Sequence, residues 1–333
     1  MTKNQPTIAV LGAGAWGTML AVLLAERGLP VRLWARREAH AQALQVARAN
    51  PDYLPGVHFP ESLSVSATLA DVCIGSAACF MVVPSKALRS VMAQLGDLEL
   101  TAHTPFISCA KGLEYGSFKR LSQVIAEYRP EAALAALSGP NLAAEIAAGL
   151  PASATVASED EDLAGAIQTW LNQARFRVYS SRDIIGVEVC GALKNVIALA
   201  AGMSDGLGLG DNAKASLITR GLAEMQRLGQ HLGGQAQTFY GLAGLGDMVA
   251  TCSSRSSRNH RAGEQWVQGT SLEQLETMQL TAEGIPTVRA VMRYAEEHSL
   301  DLPISQEVYQ VLFAGKTPQQ ALHDLMRRDA KAE

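Results

Sequence analysis

The chain has 333 residues, 48% hydrophobic and 18% charged, with 28 Lys and Arg against 32 Asp and Glu for a formal net charge of −4. That length accommodates two domains with separate cores, and the apolar content excludes a largely disordered polypeptide. The slight acidic excess is spread along the chain and leaves no basic face for nucleic acid.

Residues 8–11 form a short apolar run ending at Gly12, a helical periodicity spans 15–27 and stops at Gly28, and 31–34, VRLW, reads as another short strand. Strand, glycine turn, helix and strand within about 30 residues make a βαβ unit. The stretch 4–25 is uncharged and follows Lys3, which superficially resembles a signal peptide. Three glycines and a Trp interrupt it, no good cleavage site follows, and a buried strand and helix account for it better, so no membrane insertion is expected. Further apolar runs at 79–83, 105–109, 133–137, 152–157 and 176–179 read as strands, with helices from about Ser85 and Phe118 between them. Beyond about Ser181 long helical patterns take over, at 186–202, 212–232, 283–299 and 304–314. The expected fold is α/β: a Rossmann-type doubly wound parallel sheet over 1–185, followed by an all-α substrate and catalytic domain over 186–333.

The five cysteines, Cys73, Cys79, Cys109, Cys190 and Cys252, are odd in number and form no CxxC pair. They read as reduced thiols of a cytoplasmic protein, with no metal site expected.

Gly12-Ala13-Gly14-Ala15-Trp16-Gly17 is GxGxxG placed after a strand and at the start of a helix. The first glycine makes the turn, the second lets a pyrophosphate approach backbone N–H groups, and the third allows close packing of the helix. After the second strand comes Trp34-Ala35-Arg36-Arg37, with no acid before Glu38 to bind ribose hydroxyls. Two guanidinium groups suit a 2′-phosphate, so NADP(H) is preferred and NAD(H) remains possible; the alternative is a solvated helix start.

Lys194 is the one charge in 189–202, VCGALKNVIALAAG. An ammonium there is costly to bury unless paired, and desolvation would bring its pKa toward a range useful for proton transfer. A lysine snorkelling to the surface is the alternative, but the helix lacks the usual polar companions. Asp247 is the natural partner, being the lone charge of 239–254. Lys111 follows the carboxyl end of a strand, where ligands of open α/β sheets bind, although a plain loop lysine fits as well. Ser138-Gly139-Pro140-Asn141 also follows a strand, and helix N-capping accounts for Asn141 without a ligand. The run 241–261, GLAGLGDMVATCSSRSSRNHR, mixes glycines with hydroxyl and guanidinium groups suited to an anionic small molecule. Its alternative is a solvated Ser-rich loop.

Taken together, GAGAWGT, VRLWARR, NPDYLPGV, CAKGLE, LSGPN, GALKNVIALAAG and GLAGLGDMVATCSSRSSRN, in this order between about Ile8 and Leu312, resemble the bacterial NAD(P)-dependent glycerol-3-phosphate dehydrogenases. The resemblance implies reduction of dihydroxyacetone phosphate to sn-glycerol 3-phosphate, supplying glycerophospholipid synthesis. It also implies that Lys194 is the proton donor and acceptor, with Lys111 and Asp247 beside it. Gly139, Asn141, Ser257, Arg258 and Asn259 would complete the substrate site, and Trp16, Arg36, Lys111, Ala143, Arg258, Thr281 and Glu283 would touch the dinucleotide. Asn141 and Thr281 depart from the family's commonest residues, Ser or Thr and Val. Ser253 to Ser256 reduce to loop. A helical second domain with apolar faces suits a homodimer. The rival readings are a β-hydroxyacid dehydrogenase and a non-catalytic NADPH-binding regulator. A YxxxK match at Tyr115 and Lys119 lies in a glycine-punctuated loop and is treated as accidental.

Overall fold

The computed structural model of this chain describes residues 5–277 and 282–329. The chain divides into two compact units, Met1–Ala110 with Leu121–Val187, and Lys111–Arg120 with Glu188–Glu333. A boundary at 185 leaves Lys111–Arg120 with the sheet, whereas this short segment groups with the helical unit.

The first unit contains β1 (Ile8–Leu11), α1 (Ala15–Glu26), β2 (Val31–Trp34), α2 (Glu38–Ala47), β3 (Ala49–Asn50), β4 (Leu54–His58), β5 (Leu63–Ser66), α3 (Leu69–Cys73), β6 (Ala78–Met81) and α4 (Ser85–Gly96). It continues with β7 (Phe106–Ser108), α5 (Leu121–Tyr128), β8 (Leu134–Ser138), α6 (Ala143–Ala147), β9 (Ala152–Ala157), α7 (Glu161–Leu171) and β10 (Phe176–Ser181). Eight strands form one sheet in the order β10-β9-β8-β7-β6-β1-β2-β5, while β3 and β4 form a separate antiparallel pair.

Alternate side chains of each central strand enter different cores. Ile8, Val10, Val31, Leu33, Ala78 and Phe80 pack with α1 and α7 residues such as Leu20, Leu24, Ile167 and Leu171. Ala9, Leu11, Cys79 and Met81 pack with α4 and α5 residues such as Leu88, Met92, Val124 and Ile125. Burial on both faces is why these strands read as unbroken apolar runs rather than as an alternating pattern. The expectation of a parallel sheet needs one correction: β8 and β9 pair antiparallel, through Ala136 with Ala157 and Ser138 with Thr155. The connection between them carries only the five-residue α6, too little helix for a parallel crossover.

The second unit is helical: α8 (Ile184–Gly206, shared with the end of the first unit), α9 (Gly210–His231), α10 (Ala236–Phe239), a π-helical turn (Leu242–Gly246) and α11 (Asp247–Ser253). There follow α12 (Arg258–Val267), α13 (Leu272–Thr277), α14 (Gly284–Glu297), α15 (Pro303–Phe313) and α16 (Pro318–Met326). By length and a mean hydropathy of 1.8, α8 could cross a membrane, but 83% of its most apolar window is buried within the fold. A helix apolar all round is what a core position requires. Its backbone meets α12 directly: a Cβ on Gly202 would collide with the His260 carbonyl, and one on Gly263 with that of Leu199. Asp205 of α8 ties the same region together by pairing with Lys214 of α9 at 2.7 Å and His260 of α12 at 2.8 Å. All five cysteines are buried thiols outside any disulfide.

Candidate active site

In the first unit the glycine motif forms the turn between β1 and α1. Gly12 has φ +124°, and a Cβ there would lie 2.6 Å from the Val82 carbonyl oxygen. A Cβ on Gly17 would collide with the Gly12 carbonyl, whereas one on Gly14 meets nothing within 4 Å. The first and third glycines are therefore packing requirements, and the second leaves open space above the backbone at the start of α1. Two neighbouring strands leave β1 in opposite directions here, since β2 lies on one side and β6 on the other. Such a switch point is where doubly wound sheets take ligands. Asn50 buttresses the turn, donating its amide to Ala13 O at 3.0 Å and Thr18 Oγ1 at 2.7 Å. The buried indole Nε1 of Trp16 has no hydrogen-bond partner among the described residues, and Ala15 begins α1. These features fit a dinucleotide pyrophosphate laid on the helix N-terminus.

Arg36 and Arg37 are exposed just past β2, with Arg37 at the N-cap of α2. Further along, Gly139 has φ +142° and packs against the backbone of Ser153 and Ala154. Asn141 does not cap a helix as expected: Leu142 is the N-cap of α6, which starts at Ala143. One residue too early to cap, the Asn141 side chain is left with both polar atoms buried and without a hydrogen-bond partner among the described residues. Leaving such an amide unmatched is costly, so the position is suited to a ligand.

In the second unit, Lys194, Asp247 and Lys111 come together. Lys194 Nζ donates to Asp247 Oδ1 at 2.5 Å and to Thr251 Oγ1 at 2.7 Å, and Lys111 Nζ donates to Asp247 Oδ2 at 2.7 Å. Lys194 and Asp247 are 5% and 2% exposed, so this ion pair is shielded from water. Asp247 is the first residue of α11, directly continuous with the π-helical turn before it. Burial lowers the Lys194 pKa from 10.5 to about 8; the Asp247 carboxylate opposes that shift and the Lys111 ammonium adds to it. Two lysines against one carboxylate leave this cluster with a surplus positive charge, complementary to an anionic substrate.

A chain of amides organises the surroundings. Asn195 donates to the Lys111 carbonyl at 3.2 Å, Asn259 donates to Asn195 Oδ1 at 2.8 Å, and the Gly284 N–H donates to Asn259 Oδ1 at 2.9 Å. Both ends of the Asn259 amide, expected to bind substrate, are thus engaged in structural hydrogen bonds. Ser257 is the N-cap of α12 and accepts from the His260 N–H at 3.2 Å. Arg258, the next residue, is exposed, and Glu283 is the N-cap of α14. Thr281 lies outside the described residues. Sequence reasoning missed Thr251 and Asn195. Thr251 stands four residues after Asp247 on the same helix face, and Asn195 is the one amide on an apolar helix; both signals were present.

Comparison with known proteins bears on this arrangement. A family model described as the NAD-dependent glycerol-3-phosphate dehydrogenase N-terminus matches residues 7–164, and the model of the corresponding C-terminus matches residues 183–323. The glycerol-3-phosphate dehydrogenase (NAD(P)+) of Thermus thermophilus is 49% identical over 327 residues, covering 98% of this chain and 99% of that one. That of Chlorobium chlorochromatii is 46% identical over 331 residues, with 98% and 99% covered. The crystal structure of glycerol-3-phosphate dehydrogenase from Coxiella burnetii superposes with a TM-score of 0.93 at 40% identity, covering 98% of this chain and all of that one.

Proposed function

The chain belongs to the NAD-dependent glycerol-3-phosphate dehydrogenase family, and we propose that its Lys194–Asp247–Lys111 cluster carries the proton chemistry of that reaction. The enzyme reduces dihydroxyacetone phosphate to sn-glycerol 3-phosphate, reversibly, with NADP(H) or NAD(H). The observation that carries the site assignment is the buried Lys194 ammonium, held 2.5 Å from Asp247 Oδ1 with a pKa brought down to about 8.

When bound, the reduced coenzyme supplies the hydride to the ketone carbon. Lys194 gives its proton to the carbonyl oxygen as negative charge develops there, and takes it back from the hydroxyl in the reverse direction. Lys111 adds positive charge beside the same oxygen. Asp247 anchors both ammonium groups, and Thr251 fixes the Lys194 rotamer through its hydroxyl. Gly139, Asn141, Ser257, Arg258 and Asn259 bind the phosphate end, where binding energy remote from the reacting carbon orients the ketone. Gly12, Gly14, Ala15, Trp16 and Gly17 hold the pyrophosphate, and Arg36 and Arg37 favour the 2′-phosphate of NADP(H). Lys111, Ala143, Arg258, Thr281 and Glu283 complete the coenzyme site. In this reading residues 1–185 serve the dinucleotide and 186–333 the substrate, and the protein works as a cytoplasmic homodimer supplying glycerophospholipid synthesis.

Following NADPH oxidation with purified protein tests this. Dihydroxyacetone phosphate should support turnover, and small 3-oxo acids should not; the opposite preference would favour a β-hydroxyacid dehydrogenase. Coenzyme binding without turnover on any ketone phosphate would indicate a regulator.

A further inference from the structure

The segment Lys111–Arg120 is set between strands of the sheet unit in sequence, yet it groups with the helical unit. Its near end is tied at Lys111, whose side chain donates to Asp247 and whose carbonyl accepts from Asn195. Its far end is tied at Arg120, which pairs with Glu188 at 2.7 Å, the two side chains 14% and 4% exposed. Between these ends the chain closes on itself. Leu113 and Arg120 form an isolated antiparallel bridge, the Glu114 N–H donates to Lys119 O at 2.9 Å, and the Phe118 N–H donates to Glu114 O at 3.1 Å.

The closed turn has one further anchor, and it is aromatic. Phe118 adopts φ +59°, a left-handed conformation unfavourable for a residue with a Cβ, so the surroundings must hold it. Here the ring lies flat on Tyr294 of α14, with centroids 3.9 Å apart and planes 12° apart. Tyr294 is itself fixed from its other face by His298, at 3.9 Å and 17°, and His231 of α9 meets it edge-on at 5.9 Å. A helical expectation from Phe118 fails for this reason: the residue is spent on the turn, and α5 starts at Leu121.

We infer that Tyr294, through its stack on Phe118, is a positioning residue that holds the Lys111–Arg120 turn so that Lys111 reaches Asp247. Neither aromatic ring belongs to the proton-transfer cluster. Their effect on the reaction runs through the placement of one ammonium group, and a misplacement of about 1 Å at a reacting centre costs up to about a hundredfold in rate. Lys111 also helps to keep the Lys194 pKa low, so its displacement raises that pKa.

The inference rests on the placing of Lys111 in the active site, and a double-mutant cycle on the full-length protein separates the two claims. Tyr294→Ala and Phe118→Ala should each lower kcat/KM for dihydroxyacetone phosphate by about tenfold to a hundredfold. Each should also move the alkaline fall of the pH profile upward. Tyr294→Phe, which keeps the stack, should restore both readouts. Combined with Lys111→Met, either alanine variant should cost nothing further. Phe118 lies in a surface turn, so its variant stays folded even if Tyr294→Ala loosens α14. Wild-type kcat/KM and pH profile in Phe118→Ala would overturn the inference, as would the same loss recurring in the Lys111→Met background. Wild-type turnover in Lys111→Met alone would overturn the placing of Lys111 itself.

Discussion

Lys194 illustrates how a residue's surroundings select its chemistry. Desolvation disfavours its charged form, the adjacent carboxylate favours it, and the balance puts the pKa at about 8. Ketone reduction needs the ammonium, so kcat/KM for dihydroxyacetone phosphate should be flat below pH 8 and fall about tenfold per unit above it. Glycerol 3-phosphate oxidation needs the free amine and should rise with pH until about 8, then level; parallel profiles in both directions would contradict the assignment. Thr251→Val keeps the shape but removes the hydroxyl 2.7 Å from Lys194 Nζ. It should cost about tenfold in kcat, equivalent to ~1.4 kcal/mol, with little change in NADPH affinity. Lys194 and Asp247 were legible because each is a lone charge in an apolar stretch. Thr251 and Asn195 were marked only by spacing from Asp247 and by a lone amide on an apolar helix, signals that gain weight once their contacts are seen. Of the two readings of Asn141, cap or ligand contact, the cap fails by one residue, a shift in helix start below what sequence patterns resolve.

At the level of elements, α15 shows a helix end completed from elsewhere in the fold. Its N-cap, Leu302, has no side-chain acceptor, and Pro303 has no N–H to donate. The next donors, the N–H groups of Ile304 and Ser305 and the Ser305 hydroxyl, go to the Glu224 carboxylate of α9. Burial nonetheless raises the Glu224 pKa from 4.5 to about 7, because these donors only partly replace water. Protonation is thus favoured by folding: the contribution is fully present below pH 4.5 and is lost as pH rises through 7. Denaturant titrations should show the wild type losing of order 3 kcal/mol relative to Glu224→Gln between about pH 4.5 and 8. Equal pH dependence in the two proteins would rule that out. β1, buried on both faces, was read from sequence to the residue, because an apolar run bounded by turn residues has few other readings. β4 and β5, with the sequences LPGVH and LSVS, carry no such run and were invisible. The antiparallel junction of β8 and β9 was equally hidden, since strand direction depends on the connection rather than on the strand.

Across the whole molecule we assign separate tasks to separate stretches of sequence. Coenzyme choice is proposed for the first unit, where the exposed Arg36 and Arg37 come before Glu38, the first acid after β2. Replacing Arg36 and Arg37 by Ala should raise KM for NADPH more than for NADH, and an equal loss with both coenzymes would remove the 2′-phosphate role. Proton transfer is proposed for the second unit, whose glycine contacts at Gly202 and Gly263 bring α8 and α12 together and so set the frame around Lys194 and Asn259. The most direct test of this division is Lys194→Ala, followed by parallel measurement of kcat and NADPH affinity. Loss of the proton donor should lower kcat for dihydroxyacetone phosphate by about a hundredfold to ten-thousandfold and leave NADPH binding unchanged. Turnover near the wild-type rate would contradict the assignment of Lys194 as the proton donor.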